Sequence, residues 1–220
     1  MRDNFTPEYT RYLPHFHRPG AMFFVTFRLF DSLPKVFLEN LSEKYREQKE
    51  AIEQANHPDK EAQLYLMQRA YFLEFDRALD KCDHGPAWLK APQAALPLAD
   101  QFNKFDGIFY QLMGYTVLPN HAHVILDFSI QLKPDGAVDT TTYKNLDYVI
   151  NRIKGASARH INLALGSTGQ TLWQPGYHDR YIRDQKHLVS AVNYLKQNPV
   201  AAGICKHWMQ HPFTWVREDW

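Results

Sequence analysis

The chain has 220 residues, 45% hydrophobic and 14% aromatic, enough for one sizeable core carrying a helical insertion. Lys and Arg number 25 against 24 Asp and Glu, so the net charge of +1 selects no class of partner, although the distribution of charge can. No apolar run approaches the roughly 18 residues that a membrane span needs, the first residues hold no apolar signal core, and Cys82 and Cys205 form no CxxC pair, so a reduced, cytoplasmic protein with no membrane contact is expected.

In chain order, "AMFFVTFRLF" (21–30) is aromatic and β-branched between turn residues and reads as a first strand. Residues 37–82 are charged, with apolar residues at helical spacing, and "HPDK" (57–60) divides them into two helices. "HGPAWLKAP" (84–92) reads as a loop, "LPLADQFNKFDGI" as a short helix and "YQLMGYTVL" as a strand. Pro119 and Asn120 punctuate that strand before "HAHVILDF", and residues 130–145 read as an exposed loop. Residues 146–166 form a helix ending on Gly166. "STGQTLWQPGYHDRYIRD" is irregular or strand-like, and residues 185–199 form a helix stopped by Pro199. The aromatic tail (205–220) packs back on the body. Strands alternating with helices predict an α/β or α+β sandwich, with residues 1–220 as a single domain.

Within "LPNHAHVILDF", the period-two alternation of a strand puts His121, His123 and Ile125 on one face and Ala122, Val124 and Leu126 on the other. Two imidazoles one repeat apart can converge on one metal ion, or can be two ordinary half-exposed histidines. A third partner is needed, and "AVNYLKQNPV" offers it. Tyr194 and Asn198 lie one turn apart on a helix face, pairing a phenol nucleophile with an amide oxygen ligand. Read alone, the same two residues are equally a boundary tyrosine and a helix-end asparagine, and spacing cannot bring this helix to the strand.

Together, "LPNHAHVIL", "WQPGYHDRYIRD" and "YLKQNPVAAGI" resemble the REP-associated tyrosine transposases, members of the single-tyrosine HUH endonucleases. The resemblance extends from about residue 15 to residue 204 and takes in "HRPGAMFFVTFRL", "FDRALD" with "HGPAWL", and "INRIKGASARHIN". It implies that His121 and His123 are paired metal ligands, that Asn198 is the third ligand and that Tyr194 is the nucleophile. Tyr177 and Tyr181 are rivals, but by the resemblance they fall in the family's strand and loop rather than in its catalytic helix. The implied fold is a ferredoxin-like sandwich whose central antiparallel sheet bears the HAH strand, with the tyrosine helix across the site and the 37–82 helices at the side.

The resemblance further implies a Mg²⁺- or Mn²⁺-dependent nickase and strand transferase that acts on hairpin-forming single-stranded DNA through a 5′-phosphotyrosine. A host hairpin-DNA-binding protein with little or no cleavage is the alternative, and a small metal-binding α/β protein with an incidental HAH is a third reading. Ligand chemistry alone suits Mn, Ni or Zn better than Mg. A monomer at the nucleoid is the expected form.

Six bases in residues 151–187 face two acids there, whereas residues 39–82 hold ten acids and seven bases, so charge is polarised toward the late motifs. Arg28, Arg152, Lys154, Arg159, Arg180 and Arg183 are the candidate DNA contacts, and Trp173 a candidate base-stacking platform. Each basic residue is equally readable as part of a solvated face, and Trp173 as core.

Overall fold

The structure, a computed structural model, describes residues 18–55 and 59–219. It runs β1 (Met22–Arg28), α1 (Lys35–Gln54), α2 (Lys60–Lys81), α3 (Pro92–Lys104), β2 (Gln111–Val117), β3 (His121–Asp127), α4 (Leu146–Ala164), β4 (His178–Ile182), α5 (Gln185–Ala201) and β5 (Thr214–Val216). The five strands pair antiparallel in the order β4-β1-β3-β2-β5. The first four strands have the arrangement of a ferredoxin-like sandwich, and β5 extends the sheet beyond β2.

Alternation along the strands divides the core in two. Phe23, Val25 and Phe27 of β1 and Ala122, Val124 and Leu126 of β3 face α3 and α4. Phe24 and Ile125 face the other way, against Leu188, Ala191, Val192 and Leu195 of α5 and Phe72 of α2. Those α5 residues recur every three to four positions, which makes one apolar stripe. Gly114 lets α5 approach the sheet closely, because a Cβ there would lie 3.2 Å from Leu195 Cδ1 and 3.0 Å from the Trp215 carbonyl oxygen.

Several boundaries differ from the sequence reading. α3 starts at Pro92, not Leu96, since proline at the first helical position loses only an N–H that has no intrahelical partner. Pro199 does not stop α5. The helix runs to Ala201, because proline removes its own N–H while the Asn198 carbonyl still accepts from Ala202 N–H at 2.9 Å. The α1–α2 division falls as expected; residues 56–58 lie outside the described residues, as does most of the segment before β1. The tail does pack back: β5 pairs with β2, and Arg217 Nη2 donates to Asp106 Oδ2 at 2.8 Å.

The 37–82 helices do more than flank the sheet. α1 packs on α2 through Leu33, Leu41, Phe75 and Leu79, but α2 also reaches the sheet face that carries the histidines. Among the described residues, no helix is long and apolar enough to cross a membrane.

Candidate active site

The β1–β3 register sets Thr26 opposite His123 and Arg28 opposite His121, on the sheet face that α5 covers. Both histidines are fully buried, which removes the half-exposed alternative. Each is held by its Nδ1. Asn120 donates its amide to the Leu79 carbonyl at 3.0 Å, so its Oδ1, 2.7 Å from His121 Nδ1, accepts. His121 therefore carries its proton on Nδ1 and a lone pair on Nε2. His123 Nδ1 lies 2.7 Å from Thr26 Oγ1, and Asn198 Nδ2 approaches its Nε2 at 3.1 Å, which again makes Nε2 the acceptor.

The two Nε2 atoms stand 3.1 Å apart. With a lone pair on each they cannot hydrogen-bond to one another, so two acceptors face one point. Asp80 Oδ1 lies 3.6 Å from His121 Nε2, too far for a hydrogen bond, and has no partner of its own. Asn198 Oδ1 is buried and unpartnered as well. Burial lowers the His121 pKa to about 3 and holds His123 well below its ordinary value, so both rings are neutral and Asp80 forms no ion pair with them. Burial raises the Asp80 pKa to about 7. Neutral imidazoles converging with the unpartnered Asp80 Oδ1 offer lone pairs to a divalent cation, and Asp80, His121 and His123 can hold a metal ion. The donor set fits a divalent cation, with Asp80 added to the residues that the sequence implied.

Tyr194 meets this cluster from α5. Its ring lies 5.5 Å from the His123 ring and 5.7 Å from Phe24. Its hydroxyl donates to Asp76 Oδ2 at 2.9 Å. Burial and the Asp76 carboxyl beside it keep the phenol far above its ordinary pKa, hence protonated. The rivals lie elsewhere. The Tyr177 hydroxyl donates to Asp147 Oδ1 at 2.8 Å in the other half of the core, and Tyr181 alternates onto the sheet face opposite the histidines.

The sequence pattern does not single out Asp76 and Asp80, since a charge count along α2 treats them as solvated acids of a charged helix. The available signal was their place on the Phe72, Phe75 and Leu79 stripe, where two acids one turn apart interrupt an apolar face.

The candidate DNA contacts separate into two groups. Arg28 is 4% exposed and pairs within the fold, donating from Nη1 to Ser32 Oγ at 3.2 Å. Lys154 is buried and donates from Nζ to the carbonyls of Gln174 at 2.7 Å and Gly176 at 2.5 Å, strapping the loop before β4 to α4. Trp173 is 6% exposed, packs edge-on against Phe27 at 4.9 Å and donates to Ser157 Oγ at 3.1 Å. All three are buried: the Lys154 ammonium and the Trp173 N–H are bonded inside the fold, and Arg28 lies on the face that carries the histidines. Trp173→Ala should therefore destabilise the protein by about 3–5 kcal/mol in denaturant unfolding. Hairpin affinity per folded molecule should stay unchanged in gel shifts, and a selective loss of affinity would contradict the core assignment.

Arg152, Arg159 and Arg183 are exposed. The first two ride on α4, across the sheet from the histidines. Arg183 lies over the Tyr65 ring at 4.3 Å, and half-buried Arg180 lies over Phe24 and Phe72. Both line a groove of about 450 Å³ between α2 and β4, with Arg69 and Tyr181. The basic stretch that looked continuous in sequence is thus divided between two faces.

No protein-family model and no curated protein matches the chain. Among solved structures, the chain is similar to a REP-associated tyrosine transposase bound to a REP hairpin, at 17% identity and a TM-score of 0.47, over 92% of this chain and 80% of that one.

Proposed function

We propose that the protein is a metal-dependent tyrosine nuclease and strand transferase acting on hairpin-forming single-stranded DNA. The observation that carries this reading is the meeting of two buried Nε2 lone pairs, an unpaired Asp80 oxygen and the Tyr194 phenol on one sheet face. A structural histidine pair has no need of a nucleophile beside it, and a metal site serving only stability has no need of a phenol bound to a buried carboxyl.

His121, His123 and Asp80, with Asn198 beside them, are the residues that would hold Mg²⁺ or Mn²⁺. Bound there, such an ion supplies Lewis-acid charge to a phosphate oxygen. Asn120 fixes His121 in the tautomer with its lone pair on Nε2, and Asn198 Nδ2 at His123 Nε2 does the same for His123, whose Nδ1 is held by Thr26. Phe24 packs against both His123 and Tyr194, so the ring carrying the nucleophile has a fixed wall. Tyr194 Oη attacks phosphorus and the 3′-oxygen leaves, giving a 5′-phosphotyrosine and a free 3′-hydroxyl. The phosphotyrosine retains the ester, so a later 3′-hydroxyl can reverse the step on another end. Arg183 and Arg180, in the groove beside this face, are the bases best placed to meet the strand.

The test uses single-stranded hairpins drawn from palindromes near the gene, labelled at either end, with Mn²⁺ or with EDTA, run on denaturing gels. A covalent shift of the 3′-labelled strand alone, present only with metal, is the expected result. Hairpin binding without any shift would favour a host binding protein instead.

A further inference from the structure

We propose that Asp76 is a catalytic residue of the same site and accepts the proton that Tyr194 loses as it attacks phosphorus. This deepens the nuclease reading and rests on it. α2 and α5 face each other with two pairs in register. Asp76 and Asp80 are one turn apart on α2, Tyr194 and Asn198 one turn apart on α5, and Asp76 meets Tyr194 while Asp80 meets Asn198. The Tyr194 hydroxyl donates to Asp76 Oδ2 at 2.9 Å, whereas Asp76 Oδ1 is buried with no partner.

Stability gives no reason for such a residue. Asp76 is fully buried on the stripe formed by Phe72, Phe75 and Leu79, where an apolar side chain would pack without a desolvation cost. Its hydrogen bond goes to the atom whose proton must leave. Burial pushes the Asp76 pKa well above the usual carboxyl range and Asp80 of its own helix adds to that, while the Tyr194 hydrogen bond from α5 and Arg180 from β4 favour the carboxylate, the form that takes the proton.

The step balances as follows in atoms. Tyr194 Oη bonds to phosphorus, the phosphorus–O3′ bond breaks, the phenol proton passes to Asp76 Oδ2, and the departing 3′-oxygen takes a proton from water. In the reverse direction Asp76 returns its proton to the phenol as an incoming 3′-hydroxyl displaces it. A carboxylate within hydrogen-bond reach of the proton it takes meets the geometric requirement of a general base.

The experiment compares the wild-type full chain with Asp76→Asn and Asp76→Ala in single-turnover adduct formation on a labelled hairpin with Mn²⁺. Both variants should lose about 10²–10⁴-fold in adduct rate. Hairpin affinity and Mn²⁺ binding should be unchanged. Added carboxylates should restore Asp76→Ala in order of basicity, acetate above formate. Rescue that ignores basicity, or an adduct rate unaffected in Asp76→Asn, overturns the proposal.

A second arm needs no DNA. An aryl sulfonyl fluoride labels activated phenols, and peptide mass spectrometry reads the rate at Tyr194. Labelling at least about tenfold faster in the wild type than in Asp76→Asn supports a base that acts on this phenol; equal rates overturn it. If the wild type forms no adduct on any hairpin, the nuclease reading fails, and the labelling rates still decide whether Asp76 activates Tyr194.

Discussion

Tyr194→Phe should abolish the covalent protein–DNA adduct while leaving hairpin affinity within about twofold, because the phenol takes part in the transition state and contributes little to ground-state binding. The ring survives the substitution, so its packing on Phe24 and His123 survives too. What is lost is the nucleophilic oxygen and the donor to Asp76. Leaving that buried carboxyl without its donor should cost about 1–3 kcal/mol of stability. The variant should therefore melt lower, yet remain folded and able to bind. Denaturing gels and gel shifts on the same hairpin separate the two effects. An adduct that persists in Tyr194→Phe and disappears in Tyr177→Phe or Tyr181→Phe would reverse the nucleophile assignment. The geometry opposes that outcome, since the Tyr177 hydroxyl is committed to Asp147 on the other side of the core.

Divalent-ion binding should strengthen by up to about tenfold for each pH unit between 5 and 7 and level off above, because a ligand must shed its proton before it can coordinate. His121 and His123 are already neutral across this range, so protons do not compete for them. Asp80, raised to about 7 by burial, does hold a proton there and sets the window. The metal-free protein should show the opposite trend in stability. The folded pKa of Asp80 lies above the unfolded value of about 3.9, so the native state binds more protons between roughly pH 4 and 7 and loses stability as pH rises through that range. Added Mn²⁺ should thus raise the melting temperature more at pH 8 than at pH 5.5. Asp80→Asn should remove the pH dependence of binding and weaken it sharply, as should His121→Ala or His123→Ala. Affinity that levels off near 6.5, the value of an ordinary histidine, would show that the rings and not Asp80 govern the site.

The sequence by itself determined the elements and the placing of the two imidazoles on one side of a strand. Period-two alternation put His121 and His123 together, and helical spacing put Tyr194 and Asn198 one turn apart; both are local periodicities that tertiary packing preserves. It also placed the apolar stripes that drive α3, α4 and α5 onto the sheet. Tertiary structure decided what local spacing cannot encode. Asp76 and Asp80 reach the site only because α2 turns its Phe72–Leu79 stripe toward the histidine face, and a count of charges along a helix does not reveal which acids are inside. The tautomer of His121 depends on Asn120 and that of His123 on Asn198 from α5, and Thr26, which holds His123 Nδ1, stands opposite it only through pairing across 97 residues of chain. The basic residues show the same limit from the other side. Arg152 and Arg183 share a sequence neighbourhood, but the sheet lies between α4 and the histidine face, so charge that is contiguous in the chain is parted in space. Burial too is visible only in the fold: the Lys154 ammonium and the Trp173 N–H meet partners inside it, and Arg28 lies buried on the face that carries the histidines.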